Sequence, residues 1–311
     1  MLLFILVKNS LLKNHYYYVH GLTISSEINL PELIAVEEQV PDIWIKTGEV
    51  PDHLPIINGV GVLYEASQDD FLFRLDTVAR YRVQDGKYIT IEANEEATPE
   101  EVRLFLFGSA WGALLHQRKM LALHGSCVAK GKNGFLFVGP SAAGKSTLAA
   151  GFLKMGYSFV ADDISVIGFD EGNGHLIYPG IPHLKLWRDV LLHLHECIDF
   201  ERIRPRFEKY IKPIYTGKKL DPVRLENIIL LSTKNTPGYH FKEISGSEKF
   251  NLLTQNTYRM QYLDKLNRIE SHFRNLSRLV EVTKLFRVER PTSPLNIREL
   301  ATFVEDNILK I

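Results

Sequence analysis

Residues 139–146 read Gly-Pro-Ser-Ala-Ala-Gly-Lys-Ser, and this segment constrains the fold more than any other. It fills every fixed position of the pattern G-x-x-x-x-G-K-[ST], in which backbone N–H groups of a glycine-containing loop point at phosphate oxygens. In such a loop Lys145 reaches the β- and γ-phosphates, and the Ser146 hydroxyl is a hard oxygen ligand for Mg²⁺. The segment therefore predicts a nucleotide site, with ATP and Mg²⁺ as cofactors. The residues expected to bind the nucleotide are Gly139, Ser141, Ala142, Ala143, Gly144, Lys145, Ser146 and Thr147.

The flanking sequence has the order that a phosphate-binding loop needs. Residues 134–138 form a short apolar run that predicts a buried strand, and residues 147–153 predict a helix with Leu148, Phe152 and Leu153 on one face. The amino end of that helix would add its positive dipole end to the phosphate site. The alternative is a glycine-rich turn without a ligand, but the complete motif between a strand and a helix favours the nucleotide site.

Two adjacent acids, Asp162 and Asp163, follow a further predicted strand at residues 157–161. Ligands of α/β sheets bind at the carboxyl ends of the strands, so an acid here is expected to face the metal and the phosphates. One carboxylate could hold Mg²⁺ while the other accepts a proton from an attacking hydroxyl. The alternative is a pair of acids that caps a turn.

His124 stands on the strand predicted before the loop, at residues 121–130. A lone histidine on a strand is usually a core residue with satisfied hydrogen bonds. Here Gly125 and Ser126 follow it, and their small size leaves room for another backbone or a phosphate to approach.

The rest of the chain predicts an α/β fold with a smaller β-rich region in front. Residues 1–98 are expected to form a β-rich N-terminal domain, and residues 99–311 a catalytic domain that begins with a buried helix from Pro99 to about Arg118. The strands predicted in the first region are Leu2–Val7, Tyr16–Leu22, Ile43–Lys46, Val60–Tyr64, Phe71–Leu75, Ala79–Val83 and Tyr88–Ile91. Later elements predicted are strands at 164–169, 175–178, 227–231 and 285–288, and helices at 184–195, 252–266, 269–285 and 296–307.

Residues 201–224 are rich in Arg, Lys and Pro and predict a long loop. Arg204, Arg206 and Lys209 could each supply a cation that stabilises a transferring phosphoryl group, or they could belong to a solvated basic loop.

Charge and cysteine content exclude some classes of partner. Lys plus Arg and Asp plus Glu number 37 each, so no overall basic field favours nucleic acid or an anionic membrane. Cys127 and Cys197 have neither metal nor disulfide spacing, as is usual in the reducing cytoplasm. The apolar run Met1–Val7 is too short to span a bilayer and is interpreted as a strand.

Taken together, His124, the 139–146 motif and the Asp pair resemble the catalytic domain of the HPr kinase/phosphorylase family. His124 lies 21 residues before Lys145, and Asp162 lies 17 residues after it, which is similar to the family's spacing. Segments 20–33 and 106–126 also look like HPr-kinase-related proteins outside sugar regulation, including the kinases of lasso-peptide gene clusters. The resemblance covers residues from about 16 to 195.

The resemblance implies transfer of the γ-phosphate of ATP to a serine hydroxyl of a peptide or protein, such as a lasso precursor peptide. It implies that Asp162 is the base, that Asp163 assists in positioning the metal and the acceptor, and that Ser146 binds the metal. It also implies that His124 contacts the phosphate region, with Lys145 as a further catalytic residue. It also implies a possible homo-oligomer, since the bifunctional relatives assemble through this domain. The N-terminal domain could recognise the acceptor.

The sequence departs from the family in two places. Ala142 stands where the family often has glycine, and if that position needs a positive φ the alanine costs about 1–2 kcal/mol. No match is found to the downstream acid and the arginine-bearing loop of the bifunctional members, so phosphorylase activity is not expected. Two other functions remain open, namely a kinase for a small hydroxylated metabolite and a nucleotide-sensing binding protein that transfers nothing.

Overall fold

The structure is a computed structural model that describes residues 14–170, 174–203, 208–214, 220–235, 237–292 and 296–309. The strand predicted at Leu2–Val7 lies outside these residues. Within them the fold is mixed α/β, with two large sheets and one small one. No helix in the described residues is long and apolar enough to cross a membrane. Cys127 and Cys197 are both free thiols, the first buried and the second exposed.

The first large sheet is built from the β-rich part of the sequence. Its strands are β1 (His15–Val19), β2 (Leu22–Ser26), β3 (Ile34–Ala35), β4 (Ile43–Thr47), β5 (Gly59–Val60), β6 (Tyr64–Ala66), β7 (Asp70–Leu75), β8 (Ala79–Gln84) and β9 (Tyr88–Ala93). Their order in the sheet is β3-β1-β2-β4-β9-β8-β7-β6-β5. The strand predicted at Tyr16–Leu22 is a hairpin instead, because His20 and Gly21 have φ of 54° and 82° and turn the chain.

A buried helical segment follows, as predicted, and packs against this sheet. It consists of α1 (Pro99–Phe105), a π-helical turn (Leu106–Ala110) and α2 (Trp111–Gln117). Thr98 and Glu101 form a reciprocal capping box at its start, which satisfies two backbone N–H groups. Its apolar residues share one core with the first sheet, so this core extends across the boundary predicted at residue 98.

The second large sheet carries the 139–146 segment. Its strands are β10 (Leu121–Leu123), β11 (Gly125–Lys130), β12 (Asn133–Val138), β13 (Ser158–Ala161), β14 (Ser165–Asp170), β15 (Gly174–Tyr178), β19 (Val223–Lys234), β20 (His240–Ile244) and β21 (Lys284–Pro291). The three strands between β15 and β19 in the chain are β16 (His183–Trp187), β17 (Glu201–Arg202) and β18 (Lys209–Pro213), which form the small sheet. In the large sheet β12, β19 and β21 run parallel, whereas β11 is antiparallel to both β12 and β13.

Helices cover both faces of the second sheet. In chain order the helices after β12 are α3 (Lys145–Lys154), α4 (Arg188–His193), α5 (Gly246–Gln255), α6 (Tyr262–Lys265), α7 (Ile269–Val282) and α8 (Ile297–Val304), the last followed by a π-helical turn (Glu305–Leu309). Of these, α6 packs with Tyr262 in the core of the first sheet. Phe135 and Phe137 of β12 share a core with α3 and α8. Leu136 and Val138, which alternate with them, share a core with α5 and α7. The alternation produces three layers, with the sheet in the middle.

Several predicted elements differ from the observed ones. The predicted helix at 184–195 is wrong in its first part, because Leu184 and Leu186 alternate into the core as strand β16 and only α4 is helical. The predicted loop at 201–224 contains β17 and β18, which pair with each other. The strand predicted at 121–130 divides at His124, and the helix predicted at 252–266 is replaced by the end of α5 and by α6.

Candidate active site

The 139–146 loop joins the end of β12 to the first residue of α3. Its backbone needs glycine at two positions. Gly144 precedes the helix with φ of 101°, and Gly139 has φ of 144° and lies so close to Leu231 that an added Cβ would be 2.6 Å from its carbonyl oxygen. Ala142 has φ of 64°, so alanine at this position carries the conformational cost of about 1–2 kcal/mol that was expected for a positive φ.

Lys145 is the first residue of α3, and its side chain folds back over the loop. Its Nζ donates to the carbonyl oxygens of Gly139 at 2.9 Å and Pro140 at 3.1 Å. An ammonium group has three donors, so these contacts leave one for a phosphate oxygen. Burial lowers the pKa of Lys145, and the nearby carboxylates of Asp162 and Asp163 oppose that shift.

Asp162 follows β13 and is held by hydrogen bonds on both carboxylate oxygens. Its Oδ1 accepts from the Ser146 hydroxyl at 2.8 Å and from the Ser126 hydroxyl at 2.6 Å, and its Oδ2 accepts from the backbone N–H of Lys185 at 2.9 Å. The side chain is buried. The fixed carboxylate therefore lies directly against the hydroxyl that the sequence assigned to Mg²⁺.

Asp163 points to a different set of partners. Its Oδ2 accepts from Lys185 Nζ at 2.6 Å, and its Oδ1 lies 3.2 Å from His124 Nδ1. Burial raises the pKa of Asp163, but the Lys185 ammonium and His124 outweigh burial and hold this pKa well below its usual range. Asp163 has φ of 70°, a conformation that non-glycine residues seldom adopt and that often marks a functional site.

His124 lies in the break between β10 and β11 rather than within a strand. Its backbone N–H donates to the carbonyl oxygen of Asn256 at 2.7 Å, and Nδ1 lies 2.9 Å from the carbonyl oxygen of Asp163. The side chain is about one-third exposed. Its ring is therefore fixed beside Asp163 while one edge remains open.

A cavity of about 710 Å³ lies in front of the loop and brings most of the predicted residues together. The predicted residues that line it are His124, Ser141, Ala142, Gly144, Lys145, Ser146, Thr147, Asp162, Asp163 and Lys209. Gly139 and Ala143 belong to the loop without lining the cavity. Arg204 and Arg206 lie outside the described residues.

Two cations at this cavity were not predicted. Lys185 comes from β16 and contacts both acids, as described above. Arg290 is the next-to-last residue of β21, is 6% exposed, and donates from Nε to the carbonyl oxygen of Ala143 at 3.2 Å. Among the described residues no carboxylate pairs with Arg290, and burial lowers its pKa. A buried guanidinium without a counter-charge, in contact with the 139–146 loop, is suited to an anionic ligand.

The donor set fits Mg²⁺ better than a metal held by protein alone. The described residues contain no group of three or more His, Cys, Asp and Glu side chains that could hold an ion. Ser146 and Asp162 instead offer adjacent hard oxygens, which suits a cation that takes its other ligands from water and phosphate.

Comparison with known proteins gives likeness in structure but not in sequence. No protein-family model matches the chain, and no curated protein matches it. Among solved structures, the Hpr(Ser) kinase/phosphatase from Coxiella burnetii matches 61% of this chain and 97% of its own, with 14% identity and a TM-score of 0.33. At this identity and TM-score, the function of the chain has to be inferred from its own residues.

Proposed function

We propose that the chain is an ATP-dependent phosphotransferase that transfers the γ-phosphate to a serine hydroxyl of a peptide or protein, with a lasso precursor peptide as one candidate acceptor. The observation that carries the proposal is the contact between the Ser146 hydroxyl and Asp162 at 2.8 Å, with Asp163 beside them in the same cavity. A protein that only senses nucleotide has no need for a second acid at this position. We also propose that the protein acts in the cytoplasm, as expected from its two cysteines, which have neither metal nor disulfide spacing.

In this function the loop amides and Lys145 bind the phosphates, while Ser146 and Asp162 hold Mg²⁺. When bound, Mg²⁺ neutralises the charge on the β- and γ-phosphates. Arg290 adds a fixed positive charge next to Ala143, and Lys209 lines the same cavity. Most of the rate acceleration then comes from positioning and from charge stabilisation of a loose transition state.

The contacts favour a division of roles between the two acids that reverses the one implied by the resemblance. Asp162 accepts from Ser146, so we assign it to the metal side. Asp163 has no contact with Ser146 among the described residues and faces His124 and Lys185, so we assign it to the acceptor. Which acid is the base remains a prediction for mutagenesis.

The transfer step requires one proton acceptor. The acceptor hydroxyl gives its proton to Asp163, its oxygen forms a bond to the γ-phosphorus, and the bond from that phosphorus to the β–γ bridging oxygen breaks and releases ADP. The low pKa of Asp163 suits a base that mainly orients the hydroxyl, because a loose transition state needs little early proton removal.

The test is phosphate transfer from γ-³²P-labelled ATP and Mg²⁺ to serine-containing peptide arrays, with matched alanine peptides as blanks. Asp163→Asn should lower transfer about 100-fold or more and leave the Kd for ATP within about threefold. Asp162→Asn should raise the Mg²⁺ concentration needed for half-maximal activity. Asp264→Asn, at a largely exposed acid, is the matched control. ATP binding with neither transfer nor hydrolysis would identify a nucleotide-sensing protein instead.

A small hydroxylated metabolite is the second candidate acceptor. It is favoured by a separate cavity of only about 300 Å³ that also reaches both acids. Transfer to a metabolite extract, with none to serine peptides, would select this alternative.

A further inference from the structure

A second cavity of about 300 Å³ lies behind the acid pair, where the first sheet and α1 meet the second sheet and the small sheet. It shares Asp162, Asp163 and Lys185 with the larger cavity. The two acids thus form a wall between the two spaces, so a group in the second cavity can reach the carboxylates from the side opposite the loop.

One side of the second cavity is apolar. Leu104 and Phe107 come from the helical segment, Ile164 and Ile181 follow strands β13 and β15 of the second sheet, and Ile211 belongs to β18 of the small sheet. Phe107 belongs to the π-helical turn, and such turns inside α-helices are frequent at functional sites. Ligand pockets usually combine an apolar lining with a few polar groups that fix orientation.

The other side of the second cavity is charged, and carboxylates outnumber cations among its described residues. The acids are Glu32, Glu100, Glu101 and Glu201, and the guanidinium groups are Arg103 and Arg202. Arg103 is already paired, with Nε 2.6 Å from Glu32 and Nη2 3.0 Å from Glu100. Burial, and then the neighbouring Glu100 carboxylate, raise the pKa of Glu201, whereas Arg103 opposes this shift.

His183 gives an independent sign that this cavity is built for a polar ligand. It lines the cavity, is 8% exposed, and its Nδ1 has no hydrogen-bond partner in the described residues. Buried polar atoms are normally paired, so an unpaired one at a cavity wall is expected to meet a ligand or a water molecule.

Resting on the proposed function, we propose that the second cavity binds the acceptor, and that the acceptor serine hydroxyl lies next to an ammonium group and not next to a carboxylate. Roughly ten molecules of liquid water occupy a volume of 300 Å³, so the cavity has room for one amino-acid residue or a small amino alcohol. The hydroxyl meets Asp163, which takes its proton while the alcohol oxygen bonds to the γ-phosphorus and ADP leaves. The ammonium group lies toward the glutamates.

A third cavity of about 730 Å³ is the competing acceptor site. It extends from the loop over the end of α5, the segment between α5 and α6, and the ends of β19 and β21, and it meets the catalytic groups only at His124. A base must lie within hydrogen-bond reach of the proton that it removes. The second cavity satisfies that condition with both acids, and the third cavity with neither.

The experiment uses three serine probes that differ only in charge: L-serinamide, N-acetyl-L-serinamide and N-acetyl-L-serine. Phosphate transfer to each from labelled ATP is measured on the full chain, together with the Kd for ATP and the rate of ATP hydrolysis. We expect kcat/KM to be at least tenfold higher for the cationic probe than for the anionic one. Equal values, a preference for the anionic probe, or no transfer and no binding of any probe would overturn the proposal.

Two variants and one control variant test whether the charge preference arises in the second cavity. Leu104→Trp fills the cavity and should lower kcat/KM for L-serinamide at least tenfold without changing the Kd for ATP. Leu63→Trp, the same substitution at an exposed leucine outside the cavities, should change neither quantity. Glu32→Gln should lower the ratio of kcat/KM for the cationic probe to kcat/KM for the anionic probe. An unchanged kcat/KM in Leu104→Trp would place the acceptor elsewhere, such as in the third cavity.

The two proposals fail in different ways. Absence of ATP binding would refute the phosphotransferase assignment itself. ATP binding with transfer to serine peptides, but without the charge preference or the effect of Leu104→Trp, would refute only the acceptor site.

Discussion

The ion pair between Asp163 and Lys185 gives the sharpest physical test of the site. Its atoms are 2.6 Å apart, and the two side chains are only 28% and 19% exposed. At an effective dielectric constant of 20, opposite charges about 4 Å apart attract by about 4 kcal/mol. Removing both ions from water offsets part of this attraction, so we expect a net coupling free energy of about 2 kcal/mol.

The perturbation is a double-mutant cycle of Lys185→Met and Asp163→Asn, measured as the free energy of unfolding in urea at pH 7. The pair Arg274–Glu270, at 69% and 89% exposure, is the control, and its coupling should not exceed about 0.5 kcal/mol. The cycle cancels the separate effect of each substitution on the free energy of unfolding, so what remains is the interaction free energy between the two side chains.

The pH dependence of the coupling has a definite sign. The pKa of Asp163 is lower in the folded state than in the unfolded state, so the pair stabilises the fold fully above the unfolded value of about 3.9. This stabilisation is lost as the pH falls through the folded pKa. A coupling below about 0.5 kcal/mol at pH 7, or one that grows on acidification, would refute the interpretation of Asp163 as a desolvated, paired carboxylate.

Two further predictions concern the 139–146 loop. Arg290→Met should weaken ADP and ATP binding about tenfold or more in fluorescence titrations, because a charge-assisted hydrogen bond to the phosphates is lost. The control is Arg287→Met, at an arginine paired with Glu248, which should have little effect on either affinity. Equal nucleotide affinities of Arg290→Met and the unmodified protein would refute the role of Arg290 in anion binding. Ala142→Gly should remove about 1 kcal/mol of left-handed backbone strain and tighten ATP binding by calorimetry, and weaker binding by this variant would show that the alanine conformation is not a cost to the loop.

The sequence predicted those parts of the site that are local in the chain. The 139–146 motif lies between the predicted strand and helix, and the 17-residue spacing from Lys145 to Asp162 is long enough for one helix and one strand, which bring the acid back to Ser146. These contacts follow from short-range periodicity and from the edge at which β12 and β13 both end. Residue types at fixed spacing were sufficient for this part.

The sequence did not predict the groups that arrive from distant strands. Lys185 was assigned to a helix, although the alternation of Leu184 and Leu186 around it was a signal for a strand. Arg290 reaches the loop only because β21 pairs with β19, which in turn pairs with β12, and this strand order is a property of the tertiary fold. No local pattern in one sequence identifies such a neighbour.

Lys185 holds both members of the acid pair with different atoms, its backbone amide on Asp162 and its ammonium on Asp163. A displacement of β16 would therefore shift both carboxylates together. In the proposed function, an acceptor that displaces β16 would alter the affinity for nucleotide and magnesium, and thermodynamic reciprocity requires the nucleotide to alter acceptor affinity by the same factor. Each substrate of such an enzyme would change the affinity for the other, although the two cavities share only Asp162, Asp163 and Lys185 among the described residues.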